Sequence, residues 1–161
     1  MGIEIERKFL VTGTSWRSAP GERLVQGYLS RDPARTVRVR IAGDAAFLTI
    51  KGATHGATRA EFEYPLPLAD AEALLAMCDG PCIDKIRRRV PHAGALWEVD
   101  EFAGDNAGLV VAEIELPAED APFERPDWLG EEVTHDPRYF NAQLARRPFR
   151  QWGSAASGGT P

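Results

Sequence analysis

The 161-residue chain predicts an antiparallel, strand-rich α+β domain. Segment after segment alternates apolar and charged residues with period 2, the repeat of a β-strand. Short turns rich in Gly, Pro and Asp join most of these segments, as an antiparallel meander requires. The clearest helical spacing lies in Leu68 to Asp79, where Leu68, Ala71, Leu75 and Cys78 share one face.

Taken in order, the first segment, Met1 to Val11, sets Glu4, Glu6 and Lys8 on one face against Ile3, Ile5, Phe9 and Val11. Thr12 to Gly21 is a loop with a helical turn around Trp16. Glu22 to Ser30 is a strand in which Tyr28 shares parity with Gln26, so Tyr28 either packs or reaches the charged face. Arg35 to Ile41 sets Arg38 and Arg40 against Val37, Val39 and Ile41, and Gly43-Asp44 turns it into Ala46 to Lys51. Arg59 to Leu66 carries Arg59, Glu61 and Glu63 against Ala60, Phe62 and Tyr64. After the helix, Gly80-Pro81 is a stop signal. Ile83 to Val90 bears Lys85, Arg87 and Arg89 on one parity. Leu96 to Phe102 bears Glu98 and Asp100, opposite Trp97 and Val99. Leu109 to Leu116 bears Glu113 and Glu115. An acidic, Pro-rich stretch follows, Pro117 to Pro126, then a short segment, Trp128 to Val133, whose pattern assigns no element. Asp136-Pro137 reads as the cap and first residue of a helix running to about Arg146. The domain is placed at 1–150, with 151–161 a Gly/Ser-rich tail without fixed structure.

Composition narrows the function. A formal charge of -5 argues against broad nucleic-acid binding, which needs a basic surface. No apolar run approaches the ~20 residues of a membrane span. The early charge at Glu4 argues against a signal peptide, and Cys78 and Cys82, with no second pair, read as reduced thiols, so a cytoplasmic protein is expected. Oligomeric state stays open, a homodimer included. His55, His92 and His135 stand alone near turns and read as surface residues. Of 19 basic residues 16 are Arg, and the three Lys (Lys8, Lys51, Lys85) all fall on charged strand faces. An ammonium is a compact point charge where guanidinium is a planar fork, which suits a site needing that compactness.

The charged faces of about seven strands admit two arrangements. In an open sheet they look at water, and pattern alone favours that. In a closed barrel with its apolar face outward they point inward, and a lumen of buried charge then needs water, ions or a charged ligand. Clustering by sign speaks for the second. Glu-x-Glu occurs twice, and carboxylates at i and i+2 can converge on one hard cation. Arg38-x-Arg40 and Lys85-x-Arg87 suit phosphate oxygens. Carboxylates for a metal beside bases for oxyanions are what metal-assisted phosphoryl transfer requires.

Glu4-Ile-Glu-Arg-Lys8 resembles the Glu-x-Glu-x-Lys signature of the CYTH family, the triphosphate tunnel metalloenzymes. Gln26 to Leu29, Arg38 to Arg40, Leu48 to Lys51, Lys85 to Arg87, Trp97 to Asp100, Ala112 to Leu116, Glu132 to Thr134 and Tyr139 to Asn141 resemble its short bacterial members, in order. The resemblance implies an eight-stranded antiparallel barrel with a charged interior and helices packed outside. It implies phosphate contacts from Lys8, Arg38, Arg40, Lys51, Lys85 and Arg87. Metal ligands would come from Glu4, Glu6, Glu113 and Glu115, with Glu61, Glu63 and Asp100 as second choices. Glu4, Glu6, Lys8, Lys51 and Lys85 would carry the catalysis. The implied activity is hydrolysis of a triphosphate, inorganic tripolyphosphate first, with Mg²⁺ or Mn²⁺ as two bound ions. The alternatives are a nucleoside or thiamine triphosphatase, a class IV-type adenylate cyclase, or a non-catalytic polyphosphate or nucleotide sensor. Trp97, Phe62 and Trp128 would form an outer apolar layer. The C-terminal helix, with basic Arg146 to Arg150, would either close one tunnel mouth or simply pack.

Overall fold

In the computed structural model, which describes residues 2–152, the period-2 segments become nine strands. These are β1 (Gly2–Val11), β2 (Gly21–Ser30), β3 (Arg35–Ala42), β4 (Ala45–Gly52), β5 (Thr58–Leu66), β6 (Ile83–His92), β7 (Ala95–Phe102), β8 (Val110–Glu115) and β9 (Leu129–Glu132). All pairings are antiparallel. The order β5-β4-β3-β2-β6-β7-β8-β1 closes on itself because β5 also pairs with β1. Eight strands therefore form the barrel. β1 changes neighbour along its length: Gly2 to Ile5 pair with β5, whereas Phe9 and Val11 pair with β9 across a register shift.

Closure decides which parity faces in. Phe9, Trp97, Val99, Ala112 and Ile114 lie outside, buried beneath Trp16, Phe123 and Trp128 from the segments that cross this wall. Phe9, Trp97 and Phe123 meet edge to face at 5.4–5.8 Å, the preferred geometry of aromatic pairs. Helix α1 (Leu68–Ala76) covers the outer face of β2 to β4, packing Ala71, Leu74 and Leu75 on Val39, Ile41 and Leu48. It sits so close that a Cβ at Gly27 would come within 2.9 Å of Cys78 Sγ. The helix ends at Ala76, a turn before the expected Asp79, and the chain then passes through Gly80 at φ 72°. The outer face of β5 is left bare. Phe62, expected in the covered layer, is 41% exposed, as are Ile3 (66%) and Tyr64 (49%).

The C-terminal helix is not continuous. Asp136 caps as expected, its Oδ1 accepting the Arg138 N–H at 3.1 Å, but only a 3-10 turn, Pro137–Tyr139, follows. Phe140 is extended (φ -70°, ψ 133°), and α2 (Asn141–Arg146) begins after it. The physical reason is tertiary. The Tyr139 carbonyl, outside any helical ladder, accepts from Lys8 Nζ at 3.3 Å, and the break turns Phe140 and Asn141 into the barrel mouth. At this end the inward parity also becomes apolar: Leu10, Tyr28, Ile83, Phe102 and Val111 pack with Tyr139 and Leu144. The barrel is thus floored over on its β1, β8, β7 and β6 side. Trp152 stacks on Tyr139 and Phe149 at 5.1 and 5.2 Å, so the folded chain runs two residues past the boundary drawn at 150. The rest of the expected tail lies outside the described residues. Among the described residues no helix is long and apolar enough to cross a membrane, and Cys78 and Cys82 are free thiols.

Candidate active site

The inward parity lines a cavity of about 580 Å³. Seven carboxylates and nine cations border it, so the balance of the lining favours an anion. The acids are segregated, whereas Lys8 of β1 and Arg59 of β5 place bases among them. β3, β2 and β6 contribute Arg38, Arg40, Lys85, Arg87 and Arg89 and no acid that borders the cavity. β7, β8, β1 and β5 contribute all seven acids.

On the acidic side the register does what an ordinary sheet avoids. Glu6 stands directly opposite Glu115, and Glu98 directly opposite Glu113. Like charges facing across strands destabilise a sheet unless something lies between them. Burial, then Glu113 and Glu4, push the Glu6 carboxyl well above the usual carboxylate range. Burial acts the same way on Glu113, but Lys8, whose Nζ lies 3.1 Å from its Oε2, and Arg87 outweigh it and hold it well below that range. The two carboxyls are thus driven in opposite directions. Glu4 is also buried, yet Lys51 (2.9 and 3.2 Å) and Arg59 (3.0 Å) hold it down at about 2. Burial, partly offset by Lys51, raises the Glu61 carboxyl.

These groups fit a hard divalent cation. A divalent ion beside Glu6 would oppose the upward push on its carboxyl, because metal binding favours the deprotonated ligand. Among the described residues no three His, Cys, Asp or Glu side chains form a ready cluster.

On the basic side Arg38, Lys85 and Arg87 are buried, Arg40 is partly buried and Arg89 is exposed, and Arg87 is paired with Asp100, Glu98 and Glu113. Arg40 has no carboxylate partner among the described residues; its Nε donates to Gln26 Oε1 at 2.8 Å. Burial and the neighbouring Arg38 and Arg87 pull it down to about 9, so it stays charged at neutral pH. Arg38 donates to Thr49 Oγ1 at 3.1 Å, and its buried Nε has no acceptor. Lys85 lies between Asp100 Oδ2 at 2.8 Å and Asn141 Oδ1 at 2.9 Å. Burial pulls its ammonium down to about 7 against the attraction of Asp100.

Most of the residues singled out from the sequence border this one cavity. Asp100, expected as a further metal ligand, does not. It lies behind the lining, where Arg87 grips it with two bonds (2.8 and 2.9 Å) and Lys85 takes the same carboxylate. Glu63 and Glu115 are the exposed acids of the set. Glu63 accepts from the Thr49 hydroxyl at 2.6 Å. Tyr28 both packs in the floor and borders the cavity. Sequence reasoning gave no role to Gln26, Thr49 or Asn141. Parity could have placed Gln26 and Thr49 inside, but Asn141 arrives only by docking of α2.

A closed antiparallel barrel with acids and bases on opposite inner walls defines a tunnel for a metal-dependent anion. The chain belongs to the CYTH domain family, whose model matches residues 2–149. Among its relatives, an inorganic triphosphatase of Acetivibrio thermocellus is 47% identical over 154 residues, covering 94% of this chain and 99% of its own. An inorganic triphosphatase of Nitrosomonas europaea is 38% identical over 148 residues, covering 88% and 96%. A crystal structure of an inorganic triphosphatase matches with a TM-score of 0.65 at 37% identity, covering 88% of this chain and 93% of that one.

Proposed function

We propose that this protein is a metal-dependent triphosphatase that hydrolyses inorganic tripolyphosphate to pyrophosphate and orthophosphate. The observation that carries this reading is the register of the acidic wall: carboxylates facing carboxylates across a cavity whose other wall is cationic. A pure anion binder gains nothing from that wall, which would repel its ligand. The names of the relatives support the substrate.

Glu6 and Glu113, flanked by Glu4 and Glu115, would hold Mg²⁺ or Mn²⁺, with room for a second ion toward Glu61 and Glu63. The metal would supply charge compensation on phosphate oxygens and Lewis acidity at the reacting phosphorus. Arg38, Arg40, Lys85 and Arg87 hold the non-bridging oxygens and stabilise charge on the transferring and leaving groups. Lys8 and Lys51, which rest on Glu113 and Glu4, would be free to meet phosphate oxygens if a metal held those carboxylates. Water attacks a terminal phosphorus, the phosphoanhydride P–O bond breaks, and the leaving pyrophosphate takes the electron pair. No protein nucleophile is required.

Phosphate release from tripolyphosphate, ATP and thiamine triphosphate with Mg²⁺, Mn²⁺ or chelator tests the reading. Metal-dependent release from tripolyphosphate, ahead of the other two, is the expected result. Tight binding of all three without release would make the protein a sensor instead.

A further inference from the structure

α2 does more than floor the barrel. Its first residue, Asn141, borders the cavity and accepts two hydrogen bonds at Oδ1, from Lys85 Nζ at 2.9 Å and Gln26 Nε2 at 3.2 Å. An ammonium only donates, so the amide oxygen must face it. Asp100 takes a second Lys85 N–H at 2.8 Å, and the Phe102 ring lies 5.4 Å from the same nitrogen. Two of the three N–H bonds are thereby fixed from wall and floor, which leaves one for the lumen. Gln26 is fully buried and accepts from Arg40 Nε at 2.8 Å. A run of two amides, Asn141 and Gln26, thus joins Lys85 to Arg40 without a carboxylate between them.

We propose that Asn141 is a positioning residue: it orients the Lys85 ammonium toward the lumen and, through Gln26, holds it in register with the Arg40 guanidinium, so that both meet one phosphate chain. This rests on the triphosphatase reading. The physical case is that a lysine has a long, flexible stem whose head group must be pinned to act without reorganisation. A carboxylate alone would pin Lys85 toward the wall. A neutral acceptor on the floor adds a second anchor and no negative charge to repel the substrate. The chain places that acceptor on an element that reaches the cavity from outside the barrel strands, which also accounts for the break at Phe140 that brings Asn141 to the cavity.

The test is a cycle of Asn141→Leu, Lys85→Met and the double variant, assayed on tripolyphosphate with Mg²⁺. Leu keeps the branched outline and the number of heavy atoms and removes the acceptor; the smaller Asn141→Ala stands in should the Leu variant not fold. Asn141→Leu is expected to lower kcat/KM about tenfold or more, the scale of a small misplacement at a reacting centre. Lys85→Met is expected to lower it further. In the double variant Asn141→Leu should add less than twofold to Lys85→Met, because its effect runs through that ammonium. A multiplicative loss in the double variant, or wild-type activity in Asn141→Leu, overturns the proposal. A second measurement does not depend on turnover. With three lysines in the chain, ¹⁵N-lysine labelling gives three Nζ signals, and Lys85→Met assigns one of them. Asn141→Leu should shift or exchange-broaden that signal and leave Lys51 in place; an unmoved Lys85 signal refutes the hold. If the wild type releases no phosphate, the functional reading fails, while the Nζ spectra still decide the role of Asn141.

Discussion

The two inner walls of the barrel are built on opposite rules. On the basic wall, β2 lies between β3 and β6 and contributes neutral side chains to the lumen: Gln26 faces Arg40, Tyr28 faces Arg38 and Leu24 faces Lys85. Cations are therefore spaced by groups that hydrogen-bond or pack. On the acidic wall two carboxylate pairs stand directly opposed, Glu98 to Glu113 and Glu115 to Glu6, although Lys8 also faces Glu113 and Arg59 faces Glu4. Glu6 is pushed well above the usual carboxylate range as a result of burial, Glu113 and Glu4. The basic wall is organised to wait for an anion unaided. The acidic wall is organised to be completed by a cation. At the boundary, Arg87 grips Asp100 and reaches Glu113, which holds the walls apart from collapse into simple pairing.

The contrast can be broken most severely at Glu6. Glu6→Gln should lower metal-dependent phosphate release by about a hundredfold or more. Calorimetry without metal should find tripolyphosphate bound about as well as before, since the fold already favours the neutral form of Glu6 and the substitution removes little charge. Equal loss of both would mean that the walls do not divide the labour as described. Asp100→Asn comes next. It leaves Arg87 and Lys85 buried with less counter-charge, so denaturant melts should show a loss of about 3 kcal/mol. Mg²⁺ affinity should change little, whereas a large drop there would make Asp100 a ligand after all.

Arg40→Gln sharpens the comparison from the other side. Tripolyphosphate binding should weaken about tenfold, the scale of one charge-assisted hydrogen bond, with and without Mg²⁺. Titration of Mg²⁺ into the substrate-free variant should match the wild type.

The smallest effect is a slope. Glu6 prefers its proton in the fold, so its folded pKa lies above the ordinary 4.5. The stability tied to that proton is fully present below 4.5 and is lost as pH rises through the raised value. Glu61 acts in the same sense. Glu4, held at about 2, acts oppositely, and its contribution is lost only as pH falls from 4.5 toward 2. Metal-free melts should therefore decline as pH climbs above 4.5 toward neutrality. Added Mg²⁺ should flatten the decline and release protons to an indicator dye. A rising metal-free slope in that window would show Glu6 already ionised.

Much of the barrel was legible because each strand carries its own period. The boundaries of β3 and β4, the turn at Gly43 and the inward set Glu4, Glu6, Lys8, Lys51, Lys85 and Arg87 follow from local alternation. The split of the C-terminal helix was not legible, since nothing within 136–146 forbids a continuous helix except a contact with Lys8 and the barrel floor. Asp100 shows a related limit. Its parity is that of Glu98, yet depth along the lumen places it behind Lys85 and Arg87, and depth depends on strand stagger rather than on parity. The bare patch at Ile3, Phe62 and Tyr64 was equally hidden, because an apolar strand face does not say what covers it.

What the amino-acid sequence determined by itself is which side chains share a face, because successive residues of a strand point to opposite sides. It did not determine which face is inside. Alternation is symmetric between the two faces, and pattern alone leaned toward water. The tertiary structure made that choice through one non-local pairing, Gly2 to Ile5 of β1 with Thr58 to Glu61 of β5, which turns an open sheet into a barrel. Once closed, the apolar faces had to lie outward beneath aromatic and helical cover. The charges were left to face one another, and only across that lumen do four carboxyl-bearing strands and a basic wall become a single site.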